Sequence, residues 1–371
     1  MSSATKIHQH FHELIDPRVS RTQKNDRLNI ITITLCAIIC GADNWVAIEE
    51  YGKSKESWFS TYLNLENGIP SHDTISRLFA ALDSSHFNEL FLSWSLSRSE
   101  KLKNHICIDG KTMRGIRSAV KGLKGVHMVN AWCVENQICL GQVSVDSKTN
   151  EITAVPELLD ILDIKDTVIK IDAMGCQKDI AHKIISNEAN YILALKQNQG
   201  SLYDDVSSYF TGPSDFQDKI EIANTIEKNC GRIEDRTCYL LKDIDYLKQH
   251  NWPNLNSVIM IKSTRDINGK LSTENRFYIS SLENVNAEQM LKLIREHWQV
   301  ENKLHWQLDV AFNEDSWISR VNNAAKNRAI MNKIALNILK NVKTTKVGVK
   351  NKRLKAAWDH EYLKKVIQAA V

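Results

Sequence analysis

Apolar positions in the first hundred residues recur at helical spacing. Leu28 to Ile39 predicts an apolar helix, Trp45 to Tyr51 continues after Gly41, and Thr74 to Leu82 follows the break at Pro70-Ser71-His72-Asp73. Ser71 or Asp73 is the expected cap of that last helix. From Asn104 the period shortens. Ile106 to Asp109 reads as a short buried strand, and Val126 to Glu135 with Gln137 to Asp146 as a hairpin. Thr153 to Leu162 follows as a helix, Thr167 to Asp172 as a strand, Asp179 to Ser186 as a helix and Tyr191 to Leu195 as a fifth strand.

Three strands followed by helix, strand, helix and strand describe an α/β mixed sheet flanked by helices, the order of the ribonuclease H-like fold. Beyond Leu195, β-type runs at Lys219 to Ala223, Thr237 to Leu241, Val258 to Lys262 and Arg276 to Ile279 predict a β-rich insertion over about residues 200–285. A long helix is expected from Ala287 through Glu301 to about Val310, with or without a break, and another from Asn322 to Lys340. The expected partition is a helical N-terminal domain over 1–98, a ribonuclease H-like domain over 104–345 and a basic C-terminal tail over 346–371.

Composition narrows the class. At 371 residues, 43% hydrophobic and 25% charged, the chain has material for a sizeable core, which excludes disorder and coiled coil. Its 14 glycines include no G-x-G-x-x-G array, so a dinucleotide site is unsupported. Gly110-Lys111-Thr112 looks like the end of a phosphate-binding loop, but His105 stands where that loop needs glycine. The longest uncharged apolar run, Ile30 to Ala42, is 13 residues and too short to span a bilayer. With no signal-peptide pattern at the N-terminus, the expected location is the cytoplasm, without a membrane partner. Eight cysteines without a C-x-x-C pair point to reduced, buried thiols.

Charge is polarised along the chain. Residues 1–100 carry net −3, 101–150 net +5, 151–325 net −8 and 326–371 net +10. Ten Lys or Arg and no acid lie between Lys326 and Lys355. Such a run favours a polyanion by counterion release, or is a solvated helix followed by a basic tail. The helix carrying Arg77 is open to two readings, a helix-turn-helix DNA reader or a plain bundle, and the negative sum of its segment favours the bundle.

The candidate chemistry lies at strand ends. Asp109 and Asp172 each close a predicted strand, and ligands of such sheets collect at the carboxyl ends. His297, Glu301 and His305 recur every four residues on a helix, either a metal-binding face or a surface stripe beside Trp298 and Trp306; Glu301 is the natural candidate for a buried carboxylate against the sheet. Three carboxylates at one point raise one another's pKa unless a cation intervenes. Hard oxygen donors select Mg²⁺ or Mn²⁺, and two such ions roughly 4 Å apart suit phosphodiester displacement.

Five stretches carry a family resemblance: Ile106 to Gly115 (ICIDGKTMRG), Ile171 to Gln177 (IDAMGCQ), Tyr191 to Gln199 (YILALKQNQ), Gly231 to Glu234 (GRIE) and His297 to Trp306 (HWQVENKLHW). With Asp16-Pro17-Arg18 and Pro70 to Thr74 they resemble the H-repeat-associated transposases of the ISAs-one family over most of the chain. That resemblance implies a DDE transposase that cuts DNA at the ends of an insertion sequence and joins the freed 3′-hydroxyl to target DNA. Asp109, Asp172 and Glu301 would be the metal-binding triad, with two Mg²⁺ or Mn²⁺ ions. Lys111, Arg114, Lys196, Gln199 and Arg232 would contact double-stranded DNA at the terminal inverted repeats and target. The working form would be a homodimer in a synaptic complex.

Two positions depart from the family pattern. His297 stands where related enzymes often carry Arg, which shifts phosphate clamping to Arg295, Lys303 or a protonated His297; Cys230 stands where His is expected. The rival reading is an inactive or domesticated DNA-binding relic, and a second is a nuclease that cuts without joining.

Overall fold

The computed structural model describes residues 10–98, 105–116, 125–145, 151–211, 217–229 and 231–369. Contacts divide the chain into two units, one comprising residues 1–101, 110–148 and 301–371 and the other 102–109 and 149–300.

The first unit is built on helices: α1 (Arg27–Ile39), α2 (Trp45–Ser54), α3 (Glu56–Phe59), α4 (His72–Ala81) and α5 (Ser84–Ser97). Each of the longer ones starts where the sequence offers an acceptor. The Asp26 side chain accepts from the Leu28 and Asn29 amides, Ser71 from Thr74 and Asp83 from His86. The unit also holds the second half of β1 (His105–Met113), the hairpin β2 (Val126–Cys133) and β3 (Ile138–Val145), and α10 (Trp306–Phe312), α11 (Ala324–Asn341), α12 (Val349–Trp358) and α13 (His360–Gln368). Helix α11 is its axle, with Ala324, Ala325 and every residue from Asn327 to Leu339 buried. Its buried asparagines tie it to neighbouring backbone. Asn327 Nδ2 donates to the Phe79 and Leu82 carbonyls at 2.8 and 2.9 Å. Asn337 closes a two-way bond with the Cys139 backbone at 2.9 and 2.8 Å, which covers the outer edge of β3.

The second unit holds the first half of β1, then α6 (Glu151–Ile161), β4 (Val168–Ile171), α7 (Lys178–Ser186), β5 (Asn190–Leu195), α8 (Gly200–Thr211), β6 (Glu221–Asn229), β7 (Arg232–Leu241), β8 (Ser257–Ile267), β9 (Lys270–Ser280) and α9 (Ala287–Glu296). Strands β1, β4 and β5 are parallel, with Ile106 opposite Ile169 and Ile169 opposite Tyr191. All three of these residues and their neighbours Ile108 and Ile171 are buried, as expected for strands covered on both faces. Strand order is β3-β2-β1 in the first unit and β1-β4-β5-β9-β8-β7-β6 in the second, β1 running through both. With β2 and β3 antiparallel, this is the ribonuclease H-like order read from the sequence.

Three differences from the sequence reading carry physical content. Strand β1 does not stop at Asp109 but runs to Met113. The insertion begins with α8, and its four strands are not a separate lobe: β9 pairs antiparallel with β5, Leu193 opposite Ile279, and so extends the unit's own sheet. The Asn268-Gly269 turn between β8 and β9, both residues at positive φ, supplies the tight hairpin this extension needs. Finally, residues 349–368, read as part of a basic tail, form α12 and α13.

Candidate active site

In the second unit the last parallel pair between β1 and β4 is Ile108 opposite Ile171. Asp109 and Asp172, each one residue past that pair, therefore lie side by side, Asp109 within β1 and Asp172 just past the end of β4. The loop after β4 is tightly held. Asp172 Oδ1 accepts from the Met174 and Gly175 amides at 3.1 and 3.4 Å, turning the chain at once. Gly175 is required for that turn, because a Cβ there would lie 2.2 Å from Ile171 Cγ2. From the end of β5, Asn198 Nδ2 donates to the Ala173 carbonyl at 2.9 Å and Gln199 Nε2 to the Cys176 carbonyl at 2.8 Å. A cleft of about 500 Å³ opens beside this clasp, lined by Asp172, Met174, Lys196, Asn198 and Tyr203.

The electrostatics of the cleft favour a cation. Burial first, then the Glu151 carboxylate, hold Asp172 above its ordinary pKa, although the Gly175 and Met174 amides and Lys196 pull the other way. Glu151, at the start of α6, is a carboxylate that sequence patterning did not single out. Beneath the cleft Lys170 is buried, donates to the Ile294 carbonyl at 2.8 Å and lies over the Tyr278 ring. Burial brings its pKa down to about 8.

Glu301 belongs to the first unit and opens its last segment. The expected break in the long helix is a π-helical turn, Val300–His305, a feature frequent at functional sites. The Glu301 carboxylate is exposed and lies 3.8 Å from Nδ1 of buried His305. Asn130 Nδ2 sits 3.4 Å from His305 Nε2, on the other side of the ring from Glu301. His297, the third member of the four-residue pattern, falls in the second unit.

The predicted DNA contacts divide sharply. Lys196 is exposed on the rim of the cleft, and Arg114 is exposed beyond β1 with its backbone amide bonded to Asp315. Lys303 and His297 are half-buried, and the Gln199 amide is engaged in the clasp. Arg232 and Arg295 enter an ion-pair cluster on β6, β7 and β8. Lys111 departs most from its expected role: it is 8% exposed, with carboxylate oxygens of Asp309, Glu314 and Asp315 at 2.7, 3.3 and 3.5 Å. Burial acts against its charge, but those carboxylates outweigh it and hold the ammonium above its ordinary value. Cys230 and Arg117 lie outside the described residues.

Part of the basic C-terminal run turns inward, while Lys343, Lys346 and Lys350 stay exposed. Arg353 donates to the Ile38 carbonyl at the end of α1 and to the Ala311 carbonyl, and meets Asp43 at 3.1 Å. Lys352 donates to the Leu339 and Val342 carbonyls at the end of α11, and Arg328 to the Ala42 carbonyl. These cations donate to carbonyls at or just beyond helix ends. Among them, Arg328, Lys333, Lys352 and Arg353 are buried and present no face to a polyanion.

A sheet of order 3-2-1-4-5 that brings two aspartates together from neighbouring parallel strands defines a ribonuclease H-like fold of the DDE class. The chain belongs to the DDE transposase family: residues 100–338 match the family described as Transposase DDE domain, and residues 8–95 match the one described as DDE_Tnp_1-associated. YncI of Escherichia coli O157:H7, which carries a transposase name, is 39% identical over 95% of this chain and 92% of its own length. The H repeat-associated protein YhhI of Escherichia coli strain K12, also named as a transposase, is 37% identical over 98% of this chain and 97% of its own. A cryo-EM structure titled as a piggyBac transposase synaptic complex with hairpin DNA aligns with TM-score 0.47 and 10% identity, over 98% of this chain and 77% of that one. No helix among the described residues is long and apolar enough to cross a membrane.

Proposed function

We propose that this chain is a metal-dependent transposase that hydrolyses DNA at the ends of its element and transfers the freed 3′-hydroxyl to target DNA at the same site. The observation that supports this most strongly is the placement of Asp109, within β1, beside Asp172, just past the end of the neighbouring parallel strand β4, with Asp172 held above its ordinary pKa by burial and by Glu151. A site of oxygen donors under that strain fits a hard divalent cation. Asp109, Asp172 and Glu301 would hold two Mg²⁺ or Mn²⁺ ions, which when bound would supply charge stabilisation for the attacking and leaving oxygens.

The chain's own residues orient the reaction. The Asp172 loop, clasped by Asn198 and Gln199, fixes one carboxylate without reorganisation at the moment of chemistry. Lys196 on the cleft rim binds a phosphate oxygen of the strand to be cut. His305, with Nδ1 3.8 Å from the carboxylate, stands beside exposed Glu301. The substrate is double-stranded DNA carrying the terminal inverted repeats, the working assembly is a homodimer holding two ends, and the site of action is the cytoplasm.

The test is strand cleavage of a labelled duplex carrying the native gene flanks, in Mg²⁺, by wild type and by Glu301→Ala and Asp172→Ala. Cleavage lost in both variants, with duplex binding kept, supports the triad; persisting cleavage contradicts it. Pre-cut ends bearing a 3′-hydroxyl separate joining from cutting, since a nuclease leaves them unjoined. Binding by the wild type with neither cutting nor joining identifies a relic.

A further inference from the structure

The stretch of the chain with the most negative sum carries a cluster of four arginines. Arg232, Glu234 and Arg236 alternate along β7 and share one face. Register sets Glu234 opposite Arg265 on β8 and Glu227 on β6. Glu234 is 5% exposed, and its carboxylate lies 3.0 Å from Arg232 Nε and 3.1 Å from Arg265 Nε while pairing with Arg236 Nη2. Glu227 pairs with Arg295, in the last turn of α9, and lies 3.5 Å from Arg236 Nη1. Four guanidiniums therefore share two carboxylates and leave an excess of two positive charges.

The excess faces outward. Side-chain exposure rises from 15% at Arg236 to 33% at Arg265, 37% at Arg295 and 45% at Arg232. Arg236, at the centre, is pulled below its ordinary pKa by burial and then by Arg295, with Arg265 and Arg232 adding to the effect. A strut that only stiffened the sheet would be balanced. This one is overcharged, and a second source of negative charge would relieve it.

We propose that the cluster is a preformed seat for the sugar-phosphate backbone of duplex DNA, with Arg232, Arg265 and Arg295 as the contacting cations and Glu234 as the residue that positions them. The inference rests on the transposase reading and adds to it two groups, Glu234 and Arg265, that sequence patterning did not mark. Guanidiniums match phosphate in two-point geometry. Arginines already held by a buried carboxylate lose less side-chain freedom on binding than free ones do.

The test is anisotropy titration of the full-length protein with a labelled duplex of the native flanks across a range of salt. Arg232→Gln and Arg265→Gln should each reduce the slope of log affinity against log salt by about one. Glu234→Gln makes the protein more positive, yet binding should weaken about fivefold, with Glu234→Asp between it and wild type, because the arginines lose their anchor. Unchanged slopes in both arginine variants, or tighter binding by Glu234→Gln with wild-type circular dichroism and melting temperature, overturn the proposal. If Glu234→Gln does not fold, the Arg265→Gln slope decides alone. A wild type that binds no duplex overturns the transposase reading with it; a wild type that binds while the arginine variants match it overturns the seat alone.

Discussion

Two basic regions of this molecule do opposite work. The C-terminal segment has net charge +10, and its buried cations close helix ends, as Arg353 does for α1 and Lys352 for α11. The β6–β8 region lies in a segment of net charge −8, yet its arginines form an exposed cluster with more positive than negative groups. Summed charge along a chain therefore predicts an electrostatic surface poorly. What matters is whether each cation meets a carbonyl or carboxylate of its own fold.

The comparison can be broken by exchanging the two kinds of arginine. Arg353→Ala removes the charged donor from the Ile38 and Ala311 carbonyls and from Asp43. Its melting temperature should fall by roughly 5–10 °C. Arg232→Gln, in the other region, should leave stability within about 0.5 kcal/mol and act on DNA affinity instead. Equal melting temperatures for the two variants would remove the distinction.

A smaller effect is expected at the cleft. Asp172 has a raised folded pKa, so its contribution to stability is full below the ordinary carboxylate range and is lost as pH rises through the folded value. In chelator at neutral pH, Asp172→Asn should therefore melt higher than wild type, by about 3 °C. Added Mg²⁺ should narrow that gap by stabilising wild type alone. A variant that melts below wild type in chelator would show that the carboxylate is satisfied within the fold.

The smallest effect concerns Lys340, which lies over the Trp132 ring and whose pKa is brought down to about 7, by burial first and then by Lys303 and Lys352. The unfolded chain binds the extra proton between that value and the ordinary lysine range, so this group makes stability rise with pH across that window. Lys340→Met should exceed wild type by about 1 °C near pH 7 and lose the advantage toward pH 10. A difference that stays constant with pH would contradict the burial of a titrating ammonium.

Much of this architecture is legible in the residues. The apolar runs around Ile106, Ile169 and Tyr191 mark strands buried on both faces, and Asp109 and Asp172 stand out because each breaks such a run. Strand partners are another matter. Nothing local in Arg276 to Ile279 reveals that β9 pairs with β5, since antiparallel registry is set by contacts distant in sequence. The π-turn at Val300–His305 was foreshadowed only as a break, because four-residue spacing does not distinguish an α-turn from a π-turn. Lys111 reads as a phosphate contact beside Gly110, and only the fold brings Asp309, Glu314 and Asp315 to it.

The central claim is that Asp109, Asp172 and Glu301 together run metal-dependent chemistry on DNA. The most direct measurement is Mg²⁺-dependent nicking of the native-flank duplex by wild type and Asp172→Asn, with duplex binding measured on the same samples. A rate lower by about 10³-fold or more, with binding within a few-fold of wild type, is the predicted result. Nicking by Asp172→Asn at the wild-type rate would contradict it.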